Sequence, residues 1–455
     1  MTSDMIALFF GFLCGGVIAW SADMYVFKGS FQKLIHADTF KEFIIFMGLG
    51  GLTLLWLDAR GHYRQRLPFW EITGHIVAVV GIGFILCGFM QFAAQGNFSR
   101  LWLGLSWLLF GLFLFLGRAG VRRALEQSGQ WQIPVLLIGD GPTAQTAEQA
   151  LRRESCMGFR ITDQIPSDTI TSLTSPDAWE RLMGLHGASH IILALEGSIW
   201  EQQQPALKCL ARARLPYSLI LPWTGLPSGN LSTHYFMMQD VSVLHDSNRL
   251  QLLLPRVIKR SFDIIVAGFL LVLLAPALLF ISAIIALDKG KILFRQPRIG
   301  RNGRTFICYK FRSMQMNAEQ LLKEHLASDS EAAKEWEIFQ KLKRDVGVTT
   351  FGRFIRRSSI DEIPQLVNVL KGDMSLVGPR PIIPGQEHYY EEDFMYYESV
   401  RPGITGPWQV NGRNRLTFKE RVTLECSYAR NWSLWMDMVI LLKTIPAIFR
   451  NEQVF

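Results

Sequence analysis

The placement of its apolar runs most constrains what this chain can fold into. Four lie in the first quarter, at Met5–Val26, Phe43–Leu57, Ile76–Phe92 and Leu101–Leu116. A fifth, Ile264–Leu287, lies past the middle. A bilayer core takes about 20 apolar residues in helical form, with a usual range of ~17–25. The first run meets that length, and the next three reach it only with flanking residues. Together they predict a four-helix transmembrane domain over residues 1–125. Arg60, Arg64 and Arg66 follow the second run and Arg118, Arg122 and Arg123 the fourth, which puts both ends of the domain in the cytoplasm. Lys28, Lys33 and Lys41 in the first loop pull the other way. No basic n-region precedes Met5, so the first run is expected to stay rather than be cleaved as a signal peptide. Beyond Asp23 and Asp58 at the edges no intramembrane charge pair is evident, and the domain reads as an anchor rather than a transport path.

The fifth run has a different character. Arg256, Lys259 and Arg260 precede it, and Lys289, Lys291, Arg295, Arg298 and Arg301 follow it. Basic clusters at both ends prefer the same face of a membrane. Pro276 stands near its centre, where proline interrupts a helix. Both facts predict a re-entrant helix over 260–288 that dips in, breaks at Pro276 and returns.

Residues 130–246 alternate short apolar strands with helix-like runs, the pattern of a small Rossmann-like α/β domain with a parallel sheet. Pro134–Ile138, Ser189–Leu195 and Tyr217–Leu221 are its strand candidates. Gly139-Asp140-Gly141-Pro142-Thr143-Ala144 is a degraded dinucleotide fingerprint, with Asp163 about twenty residues on. The motif alone is a weak signal, and a tight strand-to-helix turn is the preferred reading of these glycines. Of 455 residues 49% are hydrophobic, and the net charge is +8. A basic chain with long apolar runs points to an anionic membrane face or phosphorylated substrates, and away from nucleic acid. Cys14, Cys87, Cys156, Cys209, Cys308 and Cys426 are scattered with no CxxC spacing, which fits a reducing compartment and argues against a zinc site or disulfide frame.

Residues 252–455 are dense in arginine and proline motifs. Tyr309-Lys310-Phe311-Arg312-Ser313-Met314 reads as a strand that would set Lys310 and Arg312 on one face. Asn317–Lys343 reads as a solvated amphipathic helix, and Trp432–Ile445 as a tail helix suited to a membrane surface. In Arg357-Ser358-Ser359-Ile360-Asp361-Glu362-Ile363-Pro364-Gln365, Ser359 is a good N-cap and Glu362 completes a capping box. Asp361 would then sit over the positive end of a helix, ionised and beside a phosphate-binding position. That makes it a nucleophile candidate for phosphoryl transfer, although helix capping alone would use the same residues.

Lys259-Arg260-x-Phe262-Asp263, Tyr309–Met314, Ser359-x-Asp361-Glu362-x-Pro364-Gln365, Lys371–Pro381 and Arg401-Pro402-Gly403-Ile404-Thr405-Gly406 occur in order. Together they resemble the monotopic phosphoglycosyl transferases, the bacterial sugar transferase family. With the four spans and the middle domain, the whole chain is similar to the large form of that family, which includes undecaprenyl-phosphate galactose phosphotransferases. The resemblance implies an α+β membrane protein with a cytosolic catalytic α/β domain on a re-entrant helix, often dimeric, in the bacterial cytoplasmic membrane. It implies Asp361 as nucleophile, Glu362 as the residue associated with Mg2+, and Arg413 as a phosphate ligand. Arg380, Lys310, Arg312, Arg401 and Gln409 are further candidates for substrate or phosphate binding, with Arg380 and Arg401 equally suited to bracing turns beside their prolines. Asp373 and Asp437 are acidic alternatives for the metal that read better as structural.

Two positions depart from the family pattern. Ala275-Pro276 stands where Ser-Pro is common, and Gly347-Val348-Thr349 where Arg-Ile-Thr is usual, with Arg344 a candidate replacement for the lost arginine. The implied reaction moves a sugar 1-phosphate from a UDP-sugar to undecaprenyl phosphate and releases UMP. Galactose is the sugar the resemblance suggests; glucose or an N-acetylated sugar stays open. The rivals are a nucleotide-sugar oxidoreductase or epimerase built on the Gly139 turn, for which no Tyr-x-x-x-Lys pair is found, and a non-catalytic scaffold of polysaccharide assembly, which the intact Asp361-Glu362 pair argues against.

Overall fold

The computed structural model describes residues 1–22, 37–93, 99–173, 175–197, 200–213, 215–220, 231–235, 242–246, 252–287, 290–315, 318–329, 347–412 and 416–449. It divides into two compact units, Met1–Pro222 and Trp223–Phe455.

The first unit begins with helices α1 (Thr2–Ala22), α2 (Ala37–Ala59), α3 (Phe69–Ala93) and α4 (Arg100–Gln127), each long and apolar enough to cross a membrane. The three shorter apolar runs are therefore completed by their flanks. Glycine lets α1 lie close against α4: a Cβ at Gly15 would fall 2.6 Å from Ser106 Oγ, and one at Gly16 2.6 Å from the Trp102 ring. Lipid supplies no hydrophobic drive between helices, so close backbone packing through small residues carries much of their association. Leu8, Phe12, Phe46, Trp107, Phe110 and Leu114 fill the core. A charge pair that the sequence reading did not name joins the helices at their ends, outside the apolar runs. Asp4, only 1% exposed, accepts from Arg118 Nη2 at 2.6 Å and from Tyr63 OH at 2.8 Å. Arg118 also meets His62 Nδ1 at 2.8 Å. These residues are 114 and 59 positions from Asp4, outside the apolar runs, and only helix packing joins them. The contact puts the chain start, the turn after α2 and the far end of α4 at one end of the four helices.

Beyond α4, strands β1 (Ile133–Ile138), β2 (Phe159–Ile165), β3 (His190–Ala194) and β4 (Tyr217–Ile220) form a parallel sheet in the order β2-β1-β3-β4. Helices α5 (Pro142–Arg153), α6 (Pro176–Leu185) and α7 (Trp200–Ala213) alternate with the strands. Gly139 has φ +146°, and a Cβ there would strike the Ala194 carbonyl. At the α5 N-terminus Thr143 N–H donates to Glu196 Oε1 at 2.9 Å. The protein's own carboxylate thus takes the orphan donor of the glycine turn. Asp163 pairs with His186 Nδ1 at 2.8 Å.

In the second unit an antiparallel hairpin, β5 (Leu231–Tyr235) and β6 (Ser242–Asp246), precedes helix α8 (Leu253–Ala286). The expectation of two helices separated at Pro276 is corrected: α8 is one helix with Pro276 inside it. Its first half is tied down by charge. Lys259 Nζ donates to Asp437 Oδ2 at 2.6 Å and to the Val377 carbonyl at 3.1 Å, and Asp263 accepts from Ser375 Oγ and Leu376 N–H. Arg260 donates to the Val369 and Leu370 carbonyls. Near its end Ile281 and Ile285 pack with Phe311 and Ile355. The antiparallel pair β7 (Leu293–Ile299) and β8 (Thr305–Phe311) and the parallel pair β9 (Ser375–Val377) and β10 (Gly403–Thr405) complete the framework. Within Asn317–Lys343 the described part is a helix, Ala318–Ser328. The tail helix runs Leu434–Phe449, with Leu442 and Ile445 exposed.

Asp437 is structural, as its sequence suggested: Lys259, Tyr428 and Trp432 all donate to it. Lys259→Met strands this buried carboxylate without its cation, a loss of about 3–5 kcal/mol for broken buried pairs. Chemical unfolding of the detergent-solubilised variant is expected to show that loss. An unchanged midpoint would mean that the pair does not anchor α8.

Candidate active site

The chain makes an abrupt turn between two helices to present its adjacent carboxylates. The helix Thr350–Arg357 starts with Thr349 Oγ1 accepting from Gly352 N–H at 2.9 Å and stops at Ser358. Ser359 then takes the left-handed conformation, φ 57° and ψ 16°, and Ile360–Glu362 form a single 3-10 turn. The next helix, Gln365–Lys371, begins only after Pro364. The capping-box expectation is therefore corrected: Ser359 caps nothing through its side chain. A non-glycine residue in this region costs roughly 1–2 kcal/mol and occurs where a site demands it. Here it turns Asp361 and Glu362 away from the helix ends and into a group of cations.

Glu362 Oε1 accepts from Lys310 Nζ at 2.7 Å and from Arg380 Nη2 at 3.2 Å. Lys310 projects from β8, and Arg380 from the loop after β9. Burial pushes the Glu362 carboxyl upward, but Lys310 and Arg380 outweigh it and hold the group well below the usual carboxylate range. Asp361 is 9% exposed. Burial, and then the Glu362 charge, push its carboxyl up to about 6 against the pull of Lys310, Arg356 and Arg380. The helix-end stabilisation expected from the sequence does not dominate. With its carboxyl near 6, Asp361 is ionised at neutral pH yet poorly solvated.

Of the predicted residues the fold gathers Asp361, Glu362, Lys310 and Arg380. Three others bond main-chain carbonyls: Arg312 to Ile285 at 3.2 Å, Arg401 to Gly372 at 2.8 Å and Gln409 to Ile404 at 3.4 Å. Arg312 follows the last residue of β8, and its N–H still donates to the Ile292 carbonyl at 3.0 Å. Arg413 and Arg344 lie outside the described residues. Asp373 accepts from Asn368 Nδ2 at 3.2 Å.

Three arginines escaped the sequence reading of the site. Arg356 donates to Ser313 Oγ at 2.9 Å and acts on Asp361. Arg298 bonds the Pro381 carbonyl at 2.9 Å, and burial with the nearby Arg380 and Arg421 pushes its guanidinium down to about 10. Arg380 and Arg421 lie over the Trp408 ring, 5.3 and 5.4 Å from its centre. The one available signal was the four-residue spacing of Arg421 and Glu425, which form an ion pair.

A magnesium ion is tested by the donor set. Among the described residues no group of three or more His, Cys, Asp and Glu could hold a metal. Asp361 and Glu362 are adjacent oxygen donors, with both Lys310 and Arg380 sitting on Oε1 of Glu362. Magnesium is commonly held by one or two carboxylates together with substrate phosphates. The pair fits an ion that arrives with a diphosphate.

Residues 254–451 match the family model described as bacterial sugar transferase. The chain is 36% identical over 408 residues to the undecaprenyl-phosphate galactose phosphotransferase of Salmonella typhimurium, covering 87% of this chain and 85% of that protein. It is equally identical, over 406 residues, to the UDP-galactose-lipid carrier transferase of Erwinia amylovora, with the same shares covered. An exopolysaccharide production protein of Sinorhizobium fredii is 42% identical over 191 residues, 42% of this chain and 84% of its own.

Glu362→Gln removes the charge that raises Asp361 and frees two cations that lower it. The Asp361 carboxyl is expected to fall from about 6 toward the ordinary aspartate value of about 3.9. A 13C NMR titration of labelled aspartate reads the shift; no fall would show that Glu362 does not raise Asp361.

Proposed function

The chain belongs to the bacterial sugar transferase family, and from that premise we propose that it moves a sugar 1-phosphate from a UDP-sugar to undecaprenyl phosphate. The observation that carries this reading is the buried Asp361 beside a Glu362 held by Lys310 and Arg380. In the first step an Asp361 carboxylate oxygen attacks the β-phosphorus, which bears the sugar. A P–O bond forms, the bond to the oxygen bridging the two phosphates breaks, and UMP leaves with that oxygen. In the second step a phosphate oxygen of undecaprenyl phosphate attacks the same phosphorus and expels the Asp361 carboxylate. The product is undecaprenyl-diphospho-sugar, a starting unit for surface polysaccharide. Phosphoryl transfer needs mainly positioning and charge stabilisation. Lys310 and Arg380 supply positive charge at the phosphate, and Arg356 favours the ionised Asp361. Glu362, with the diphosphate, would hold magnesium, whose charge would ease departure of the leaving oxygen.

The sugar is read as galactose, supported by the names of the Salmonella and Erwinia relatives that match 87% of the chain. The catalytic unit is read as cytoplasmic, with α8 dipping into the membrane and returning. Supporting this, α8 packs on its own unit near both ends, through Arg260 and through Ile285, while Phe269, Val272 and Phe280 between them are exposed.

UMP release is to be measured with purified protein, magnesium, undecaprenyl phosphate and a panel of UDP-sugars. UDP-galactose is expected to react and Asp361→Asn to be inactive. Full activity in that variant would remove Asp361 as nucleophile. Because Asp361 attacks only when deprotonated, kcat/KM is expected to fall as the pH drops through about 6. A rate level down to pH ~4, where an unshifted aspartate would titrate, would contradict the raised carboxyl.

A further inference from the structure

Arg380 sits between Pro379 and Pro381, so the local chain has few N–H groups with which to anchor itself. Yet from the Pro379 carbonyl to the Ile382 carbonyl every main-chain donor and acceptor is held. The Pro379 carbonyl accepts from Gly403 N–H at 2.8 Å, and the Ile382 carbonyl from Ile299 N–H at 3.0 Å. The Pro381 carbonyl accepts from Arg298. Ile382 N–H donates to Tyr397 OH at 3.1 Å. Arg380 itself is gripped on both sides by one helix, Phe418–Asn431. Its N–H donates to Glu425 Oε1 at 3.0 Å, and its carbonyl accepts from Arg421 Nη2 at 3.0 Å.

Glu425 is the centre of this clamp. It is 0% exposed. Its Oε1 also accepts from Arg421 Nε at 3.0 Å, and its Oε2 accepts from the buried Tyr390 OH. Arg421 flanks the Trp408 ring that Arg380 also contacts. A fully buried carboxylate is retained only with such partners, since burying a bare charge costs far more than the pair returns. One of its bonds takes the Arg380 N–H, and its partner Arg421 takes the Arg380 carbonyl, so the pair holds the main chain of the residue whose guanidinium reaches Glu362. We propose that Glu425, with Arg421, is a positioning pair that sets the Arg380 guanidinium for phosphate. This rests on the transfer reaction proposed above, and it adds residues that do not touch the reacting atoms.

Two readouts test it on the full-length protein in detergent. The first needs no turnover: hydrogen exchange of the segment 378–383. Glu425→Gln and Arg421→Lys are each expected to speed exchange of the Arg380 amide, with the helix Gln365–Lys371 unaffected. The second is kcat for UMP release. Misplacing a catalytic group by about 1 Å can cost on the order of 100-fold, and Glu425→Gln is expected to lower kcat on that scale with a much smaller change in KM. In an Arg380→Ala background the same substitution should lower kcat no further. A second loss of equal size there would show that Glu425 does not act through Arg380. An Arg380 amide exchanging as in wild type would also overturn the proposal. If Glu425→Gln does not fold, Arg421→Lys carries both measurements, since it keeps the charge and loses the bond to the Arg380 carbonyl. Absence of UMP release from the wild type would instead defeat the proposed reaction, and exchange alone would then decide the clamp.

Discussion

The site depends on one electrostatic arrangement: Glu362 held by Lys310 and Arg380. Burial pushes a carboxyl's pKa upward, and two neighbouring carboxylates repel. The two cations resolve this by keeping the charge on Glu362, and the strain falls on Asp361. The pair thereby divides into a firmly ionised member and a member that titrates near 6. Adjacent carboxylates driven apart in this way mark different chemical roles. The turn at Ser359, the strand carrying Lys310 and the loop carrying Arg380 all serve to bring these groups to one point.

The platform under the site is built by a second set of buried charges. Lys259 and Asp263 lie one helical turn apart on α8, and they reach Asp437 and the β9 backbone respectively. A soluble domain could have used apolar contacts there. Here α8 is apolar along most of its length; charges dock its first half, and Ile281 and Ile285 dock it near its end. The exposed Phe269, Val272 and Phe280 lie between these contacts. Under the proposed reaction between a nucleotide sugar and a lipid phosphate, this arrangement would hold the carboxylates near a membrane surface.

Legibility varied with how local the cause was. The apolar helices, the strand-helix alternation of the middle unit and the Asp361-Glu362 pair could be read directly. The conformation of that pair could not: Ser359-x-x-Glu362 has the pattern of a capping box, and tertiary contacts with Lys310 and Arg380 overrode it. Arg312 and Arg401, candidate phosphate ligands in the sequence, each donate to a main-chain carbonyl in the fold, which the sequence did not foretell. Nothing in an arginine's immediate neighbours says whether its fork will meet a substrate or a backbone. The pairing of Asp4 with Arg118 was missed because each lies outside the apolar core of its helix, where charge is unremarkable until packing buries it.

The sequence by itself determined which segments are helical and apolar, which residues carry charge, and the order of motifs that places the chain in its family. These follow from side-chain chemistry and from periodicities spanning a few residues. Only the tertiary structure decided which charges meet: Lys310 with Glu362 across 52 positions, Arg118 with Asp4 across 114, and Glu425 with the Arg380 peptide across 45. The physical reason is that a charge pair's energy depends on distance and burial. Both are properties of packed elements, and the chain between the partners encodes neither.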